Sequence, residues 1–319
     1  MIFLDSNVII FLFSEAIIAL LLLVALYNSI VILRGWDFSK TTQKQYRLES
    51  RAYLVVLIIS FALVFKIFNF FYFTYTVDAL AVLIPGAMCG AGVLDANGYG
   101  MVTMSLKLAI LFFIGIWLLI NKADIEATDY PYLRRKLLLF ILIFALIAVD
   151  GVIELRYFSD ISTKKVLRCC SSIYGGDEGG GIPFDLSLTQ LAILFYLFYL
   201  LALFSALFRY RYFSFAAHTL FLIVAYYGVV YLFGIYIYEL PTHHCPFCML
   251  QSHYYYIGYA VWITLFLGVF FGIVNAFLYL FIGKENGKFY RYAALFLTIF
   301  ILICSYFVLS YYIKNGVFL

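Results

Sequence analysis

Charged residues are scarce in this chain of 319 residues: Asp, Glu, Lys and Arg make up 12% of it, hydrophobic residues make up 66%, and mean hydropathy is +1.02. Ordinary soluble domains are about 45 to 50% apolar, so the composition excludes that class. The few charges form no basic patch, and the net charge of +4 gives no reason to expect a nucleic acid partner. A phosphate-binding loop is also absent, which argues against an ATPase.

Long apolar runs fill the chain instead. A spanning helix needs about 20 mostly apolar residues, and eight stretches qualify, which predicts an all-α, multi-pass membrane protein surrounded by lipid. The first run is 26 residues long and has no small-x-small cleavage site, so we expect a spanning helix there and not a signal peptide. The predicted spans are residues 8–33, 53–76, 101–121, 137–157, 188–208, 214–238, 255–282 and 293–313.

Lys and Arg fall mainly on one side of these spans. Fourteen of the 21 lie in the loops after the first, third, fifth and seventh predicted helices, and five lie on the opposite side. Positive residues in short loops stay in the cytoplasm, so both termini are expected to face out. The chain has 29 Tyr and 35 Phe against 3 Trp, which suits a bacterial or archaeal protein, and we predict the bacterial inner membrane as its location.

The sequence also contains a repeat at an offset of 156 residues. Residues 132–158 and 288–314 share eight identities in 27 positions. A parallel repeat of this kind is known from transporters whose halves are related by an axis along the membrane normal. The same offset maps two further pairs, Pro85 with Pro241 and Cys89 with Cys245.

Duplication of a four-helix unit is the simplest account of this repeat. The predicted parts are a first half, residues 1–157, a long outer loop, residues 158–187, and a second half, residues 188–319. If the halves are equivalent, Met88 and Cys89 come near the matching outer loop of the second half. The alternative is that a short Pro-x-x-x-Cys match in two loops is coincidence.

Residues suited to thiol or metal chemistry are concentrated in one outer segment, 241–253. It holds two thiols, three of the four histidines of the chain and a thioether. Thiolate is both a nucleophile and a metal ligand, and neutral imidazole and thioether complete a soft-metal site. The segment therefore predicts thiol redox chemistry or metal binding and leaves both open. The residues are His243, His244, Cys245, Cys248, Met249 and His253.

The redox hypothesis rests on the Cys245-Pro-Phe-Cys248 motif. The motif precedes the seventh predicted helix, where the helix dipole favours thiolate, and the outer side of the inner membrane is oxidising. Cys245 would attack, Cys248 would resolve, and Cys169 and Cys170 on the Gly-rich outer loop would act as a mobile relay. The simpler alternatives are a structural disulfide and two unrelated buried thiols.

This arrangement resembles the DsbB and vitamin K epoxide reductase families, membrane thiol oxidoreductases with a CxxC at the outer end of a helix. The resemblance implies that Cys245 and Cys248 form the pair next to a quinone cofactor. It also implies that Cys169 and Cys170 exchange with a periplasmic or membrane protein partner. The sequence departs from the families in having eight predicted helices, a vicinal loop pair and no Arg beside the CxxC.

The metal hypothesis uses the side chains that a bare redox pair does not need. Two thiolates with one or two imidazoles suit zinc, and thiolate with thioether suits cuprous copper. The function would then be delivery of the ion to a periplasmic metalloenzyme. A third alternative is a non-catalytic subunit of a larger membrane complex, with cysteines that staple its outer loops. Bis-histidine haem is disfavoured because His218 has no partner at a similar depth.

Charged residues inside the predicted spans form a second informative set. A charge in hydrocarbon costs at least about 2.5 to 3.5 kcal/mol and persists mainly when it is paired or lines a cavity. We expect these charges to pair inside the bundle, as a packing network, a proton path or a site for a polar headgroup. They all belong to the first half and are Glu15, Lys66, Lys107, Asp150 and Glu154.

Overall fold

The computed structural model describes residues 2–36, 42–127, 130–162 and 186–319. The described residues are 84% helical, and they include no strand. Eight helices in these ranges are long and apolar enough to cross a membrane, as the sequence predicts. They are α1 (Ser6–Gly35), α2 (Gln43–Leu83), α3 (Gly100–Ile125), α4 (Leu133–Asp160), α5 (Leu188–Leu207), α6 (Arg211–Tyr238), α7 (Ile257–Ile282) and α8 (Gly287–Asn315).

The ends of the helices follow from local residue chemistry. All five prolines lie outside the eight helices, because proline lacks the N–H that a helix interior needs. The Asp5 carboxylate accepts hydrogen bonds from the backbone N–H groups of Asn7 (2.9 Å) and Val8 (3.3 Å) and so caps α1. Ser187 and Gln190 form a reciprocal capping box at the start of α5, which satisfies donors that the helix leaves unpaired.

Large apolar side chains lie exposed in the middle of the long helices. Leu20 in α1 is 64% exposed, Phe68 in α2 is 66% exposed and Leu280 in α7 is 73% exposed. Soluble proteins rarely expose contiguous apolar surface on this scale. Helices satisfy their own backbone hydrogen bonds and can therefore present such a surface to lipid.

The chain divides into two compact units, Met1–Leu167 and Arg168–Leu319. In the first unit α1 packs against α2 and α4, and α3 packs against α4 and α2. The rings of Phe11, Phe73 and Phe158 meet in its core with centroids 5.4 to 6.4 Å apart. A short helix, Gly90–Leu94, lies between α2 and α3.

The second unit has the same set of helix neighbours: α5 packs against α6 and α8, and α7 packs against α8 and α6. Its core is built around the buried ring of Phe195, which contacts the rings of Phe221, Phe233 and Phe300 at 4.8 to 6.0 Å. Helix α6 is interrupted by a π-helical turn, Gly228–Phe233.

The sequence predicts a long outer loop over residues 158–187, whereas α4 continues to Asp160. Most of that loop lies outside the described residues. The repeat relationship, the outward termini and the inner-membrane location stay predictions.

One basic residue that the sequence assigns to a cytoplasmic loop is in fact buried. Lys136 lies in the first turn of α4 with 1% exposure, and its ammonium is 2.6 Å from the Asp124 carboxylate and 2.9 Å from Oδ1 of the Asn121 side chain. The Asp124 carboxylate also accepts from the backbone N–H of Tyr132 at 2.7 Å. This buried pair therefore fixes the turn between α3 and α4.

Candidate thiol site in the second unit

The loop between α6 and α7 carries the Cys-Pro-Phe-Cys motif and is bent sharply at both ends. Glu239 (φ 52°) at its start and Tyr255 (φ 52°) and Tyr256 (φ 56°) at its end have left-handed backbone conformations. Each such conformation costs a non-glycine residue about 1 to 3 kcal/mol and persists only where the surrounding packing imposes it. The loop is thus held in place by its contacts.

The motif does not lie at the N-terminus of α7, although that helix begins only two residues after its predicted start at residue 255. Helix α7 begins only at Ile257, and two 3-10 turns, Cys248–Leu250 and Ser252–Tyr254, lie between the motif and its start. The left-handed tyrosines that follow prevent these turns from joining the helix. Cys245 therefore lacks the helix N-terminus that the sequence-based argument used to stabilise its thiolate.

The two cysteines of the motif lie side by side and are nearly inaccessible. Their Sγ atoms are within 4.8 Å of each other, and Cys245 and Cys248 are 9% and 7% exposed. Both are present as thiols. Two thiolates that share one ion at zinc–sulfur distances of about 2.3 Å are at most about 4.6 Å apart, so this spacing suits a common metal ion with little movement.

The hydroxyl of Tyr238, the last residue of α6, holds the motif together. It donates a hydrogen bond to the Cys245 carbonyl and accepts one from the Met249 backbone N–H at 3.1 Å. One oxygen atom thus bridges the residues on either side of Pro246-Phe247-Cys248. The indole N–H of Trp262, in α7, reaches the Pro246 carbonyl at 3.4 Å and ties the loop to the next helix.

His243 and His244 pack on aromatic rings beside the motif. The His243 ring meets the Tyr238 ring edge-on at 4.3 Å, and the His244 ring lies 5.0 Å from that of Tyr231. Nδ1 of His244 is 3.4 Å from the Val230 carbonyl, so this nitrogen carries the proton and Nε2 keeps its lone pair. Burial lowers the pKa of His244, an effect that this hydrogen bond partly offsets, and the ring is neutral at neutral pH.

The remaining predicted ligands differ in accessibility. Met249 is fully buried, and its side chain packs against Gly258 in the first turn of α7. His253 is exposed. Among the described residues, candidate metal ligands form a group where their ligand atoms all lie within 4.8 Å of one another. The group that contains both motif thiols contains no histidine. Tyr254 lies close to both thiols: burial, followed by the charges of Cys248 and Cys245, raises the pKa of its phenol.

Other residues predicted from the sequence lie elsewhere or outside the described ranges. Cys169 and Cys170 belong to the residues that the structure leaves undescribed. In the first unit, Met88 is exposed and Cys89 is buried, and the prediction that they approach the thiol loop stays a prediction. His218 is buried in α6, where its Nδ1 lies 2.8 Å from the Ser214 carbonyl.

The charged residues inside the spans of the first unit are brought together by its four helices. Lys66 pairs with Glu15 at 2.6 Å, and Lys107 pairs with Asp150 at 2.8 Å and with Glu154 at 2.5 Å. The expected pairing inside the bundle is therefore present.

Sequence reasoning missed Tyr238, Trp262 and the π-helical turn. Tyrosine is the second most abundant aromatic residue of the chain, with 29 copies, so no composition signal distinguishes Tyr238 from the others. The only local feature that distinguishes Tyr238 is its position three residues before Pro241.

Comparisons with known proteins add no family to these observations: no family model, no curated protein and no solved structure matches the chain.

Proposed function

We propose that the loop between α6 and α7 binds a soft metal ion, cuprous copper in the first place, through the thiolates of Cys245 and Cys248. The ion would be held for delivery to a metalloprotein on the same side of the membrane. The observation that supports this proposal is the pair of buried thiols within 4.8 Å of each other on a loop that Tyr238 fixes.

Burial favours metal binding over exchange with a protein partner. A thiol that exchanges disulfides must be reached in line by a sulfur atom of the partner. At 9% and 7% exposure, Cys245 and Cys248 are accessible to a protein only if the loop opens. A small ion needs no such opening, and low exposure protects a thiolate-bound cuprous ion from oxidation and loss.

The surroundings favour copper over zinc. Cuprous copper accepts low coordination by soft thiolate and thioether ligands, whereas structural zinc requires four ligands in a tetrahedron. The loop offers the buried Met249 thioether next to Cys248. His244, neutral and with Nε2 unprotonated, is the imidazole best prepared to join the two thiolates.

The test is a competition titration of the full-length protein in detergent, reduced and anaerobic, with a colorimetric cuprous chelator. The unmodified protein should take one cuprous ion per chain from the chelator. Cys245→Ala and Cys248→Ala should each lower the affinity about 100-fold or more, because loss of a ligand costs more than the roughly 10- to 100-fold that loss of an outer-shell partner costs. The matched control is Cys304→Ala, which removes a fully buried thiol in α8.

Two results would contradict the metal proposal. One is the absence of stoichiometric copper or zinc in the reduced protein. The other is an affinity that Cys245→Ala and Cys304→Ala reduce equally, because a general loss of fold would then explain both. A Cys89→Ala variant in the same titration tests the sequence prediction that a third thiol comes from the first repeat.

A second candidate function is thiol–disulfide exchange with a quinone, which the Cys-x-x-Cys spacing and the resemblance to membrane thiol oxidoreductases favour. In that reaction Cys245 and Cys248 lose two electrons and two protons and form a disulfide, while the quinone gains both pairs and becomes a quinol. Quinone-dependent oxidation of the reduced protein, measured by thiol titration, would support this candidate. A pair that stays reduced with excess quinone would rule it out.

A further inference from the structure

The charged cluster in the first unit has more acids than bases. Three carboxylates meet two ammonium groups, and the side chains of Asp150, Glu154, Lys66 and Lys107 are each at most 5% exposed. If every group were ionised, the cluster would carry one uncompensated negative charge at low dielectric, which is strongly unfavourable. A proton or a cation must therefore balance it.

We propose that this cluster is a proton-binding site that holds one exchangeable proton on the Asp150 and Glu154 carboxyl pair. These two residues lie one turn apart on α4 and share the ammonium of Lys107, at 2.8 Å and 2.5 Å, while Lys66, which binds Glu15 at 2.6 Å, lies 3.7 Å from Asp150. Like charges four residues apart repel on a helix. One ammonium cannot fully compensate both carboxylates, so the surplus charge belongs to this pair.

Glu15 is compensated differently and does not compete for the proton. Both of its carboxylate oxygens accept from Lys66, at 2.7 Å and 2.6 Å, and one also accepts from the Asn69 side-chain amide at 2.8 Å. Asn69 is held in turn by the Ser14 hydroxyl at 2.8 Å. Protonation of Glu15 would break these charge-assisted bonds, so it stays ionised.

The atom that receives the proton is identified by its lack of hydrogen bonds. Among the described residues, Oδ1 of Asp150 is fully buried and has no hydrogen-bond partner, whereas Oδ2 lies 2.8 Å from Lys107 and 3.7 Å from Lys66. A buried carboxylate oxygen without a partner is unfavourable when it is charged. A proton on Oδ1 neutralises the surplus charge and disrupts no existing hydrogen bond.

The surroundings favour a proton over a metal cation. The Lys107 ammonium is central to the cluster and lies over the rings of Phe73 and Phe11, 4.9 and 5.5 Å from their centroids. A metal ion would be repelled by this ammonium and by that of Lys66. The cavity lined by Glu15, Lys66 and Lys107 has a volume of about 10 Å³, which is the lower limit for one water molecule.

Infrared spectroscopy of the full-length protein in lipid nanodiscs tests the proposal, because a protonated carboxyl group has a C=O band that shifts in D2O. At neutral pH the protein should show a band equivalent to one buried acid per chain, which disappears as the pH is raised. Asp150→Asn and Glu154→Gln should each abolish it, since two acids then face two ammonium groups. Lys107→Met should strengthen it.

The control is Glu126→Gln, which removes an exposed acid near the end of α3 and should leave the band unchanged. The proposal fails if the unmodified protein shows no such band at neutral pH, a result that does not depend on how any variant folds. It also fails if the band survives both Asp150→Asn and Glu154→Gln. Loss of the band on addition of sodium at constant pH would identify a cation site instead.

Discussion

Tyr238 shows how much of the thiol loop depends on one hydroxyl group. Its oxygen joins the Cys245 carbonyl to the Met249 N–H, and its ring contacts the rings of His243 and Tyr254, with centroids 4.3 and 4.8 Å away. The side chain thus sets both the backbone path of the loop and the positions of its aromatic neighbours.

Tyr238→Phe is expected to loosen the loop without removing any proposed ligand. Two buried backbone groups lose their partner, which costs about 1 to 3 kcal/mol, and cuprous affinity should fall about 10-fold or more. Hydrogen exchange at the Met249 amide and the chelator titration measure the two effects. Tyr236→Phe is the control, because its hydroxyl reaches only the carbonyl of Leu319 at 3.3 Å; equal effects of both substitutions would contradict the role of Tyr238.

The pH dependence of metal binding gives a separate test of His244. Burial lowers its pKa, so the ring takes up a proton at a lower pH than an ordinary histidine, whose pKa is about 6.5. The ratio of cuprous dissociation constants between His244→Ala and the unmodified protein should therefore stay nearly constant from about pH 7.5 to about pH 6.5. A ratio that decreases toward one over this range would show ordinary protonation, and a ratio of one throughout would show that His244 is not a ligand.

At the scale of elements, a glycine in the first turn of the third helix of each unit lets that helix approach the preceding turn. A Cβ on Gly100 would lie 2.0 Å from the Leu94 carbonyl oxygen, and one on Gly258 would lie 2.5 Å from Met249 Cγ and 2.9 Å from Leu250 Cδ2. Leu94 and Leu250 differ by 156 residues and the glycines by 158. The duplication of a four-helix unit stays a prediction.

Gly100→Ala should therefore destabilise the first unit, because the new methyl group meets backbone that cannot move away. Overpacking of this kind costs about 1 to 3 kcal/mol. The thermal midpoint in detergent should fall clearly for Gly100→Ala and stay nearly unchanged for Gly98→Ala, where nothing lies within 4 Å of the added Cβ. Similar midpoints for the two variants would mean that the close packing at Gly100 is not required.

At the scale of the whole molecule, the alternation of basic loops predicts which side carries the thiol loop. The structure provides the eight helices that this argument needs. The assignment of sides still rests on the distribution of Lys and Arg. A direct test needs exposed positions, because the cysteines of the described residues are all buried.

Thr242→Cys in the thiol loop and Glu126→Cys after α3 provide such positions, since both residues are exposed. In intact cells, a membrane-impermeant thiol reagent should label Thr242→Cys and not Glu126→Cys. After cell lysis it should label both. The opposite pattern in intact cells would invert the topology and place the metal or redox chemistry in the cytoplasm.

The sequence predicts the fold better than the site. Hydropathy locates all eight helices because burial in lipid requires long apolar runs, but it underestimates α2, predicted over residues 53–76 and observed over Gln43–Leu83. The polar first turns of that helix carry no hydropathy signal. In the site, the cysteines and histidines are visible as rare residue types, whereas Tyr238 and the left-handed tyrosines are defined only by tertiary contacts.

For the charged cluster too, the sequence predicts the residues but not their arrangement. The five charged residues are conspicuous in apolar runs, and their pairing could be predicted from the cost of leaving them unpaired. The sequence could not predict which carboxylates share one lysine ammonium, because this depends on the rotation of α3 and α4 about their axes. Asn69 and Ser14 are ordinary polar residues whose part in the cluster appears only when α1 and α2 pack together.

The π-helical turn Gly228–Phe233 in α6 makes the thiol loop sensitive to a change of a single residue in chain length. A π-helical turn holds one residue more than the α-helical turn that it replaces, and each residue rotates an α-helix by about 100°. Removing one residue from this turn would restore a regular helix and carry Tyr238 about a quarter of a turn or more away from Cys245. A chain that lacks the extra residue would keep the same eight helices and the same cysteines. Its Tyr238 hydroxyl, however, would no longer bridge the Cys245 carbonyl and the Met249 N–H.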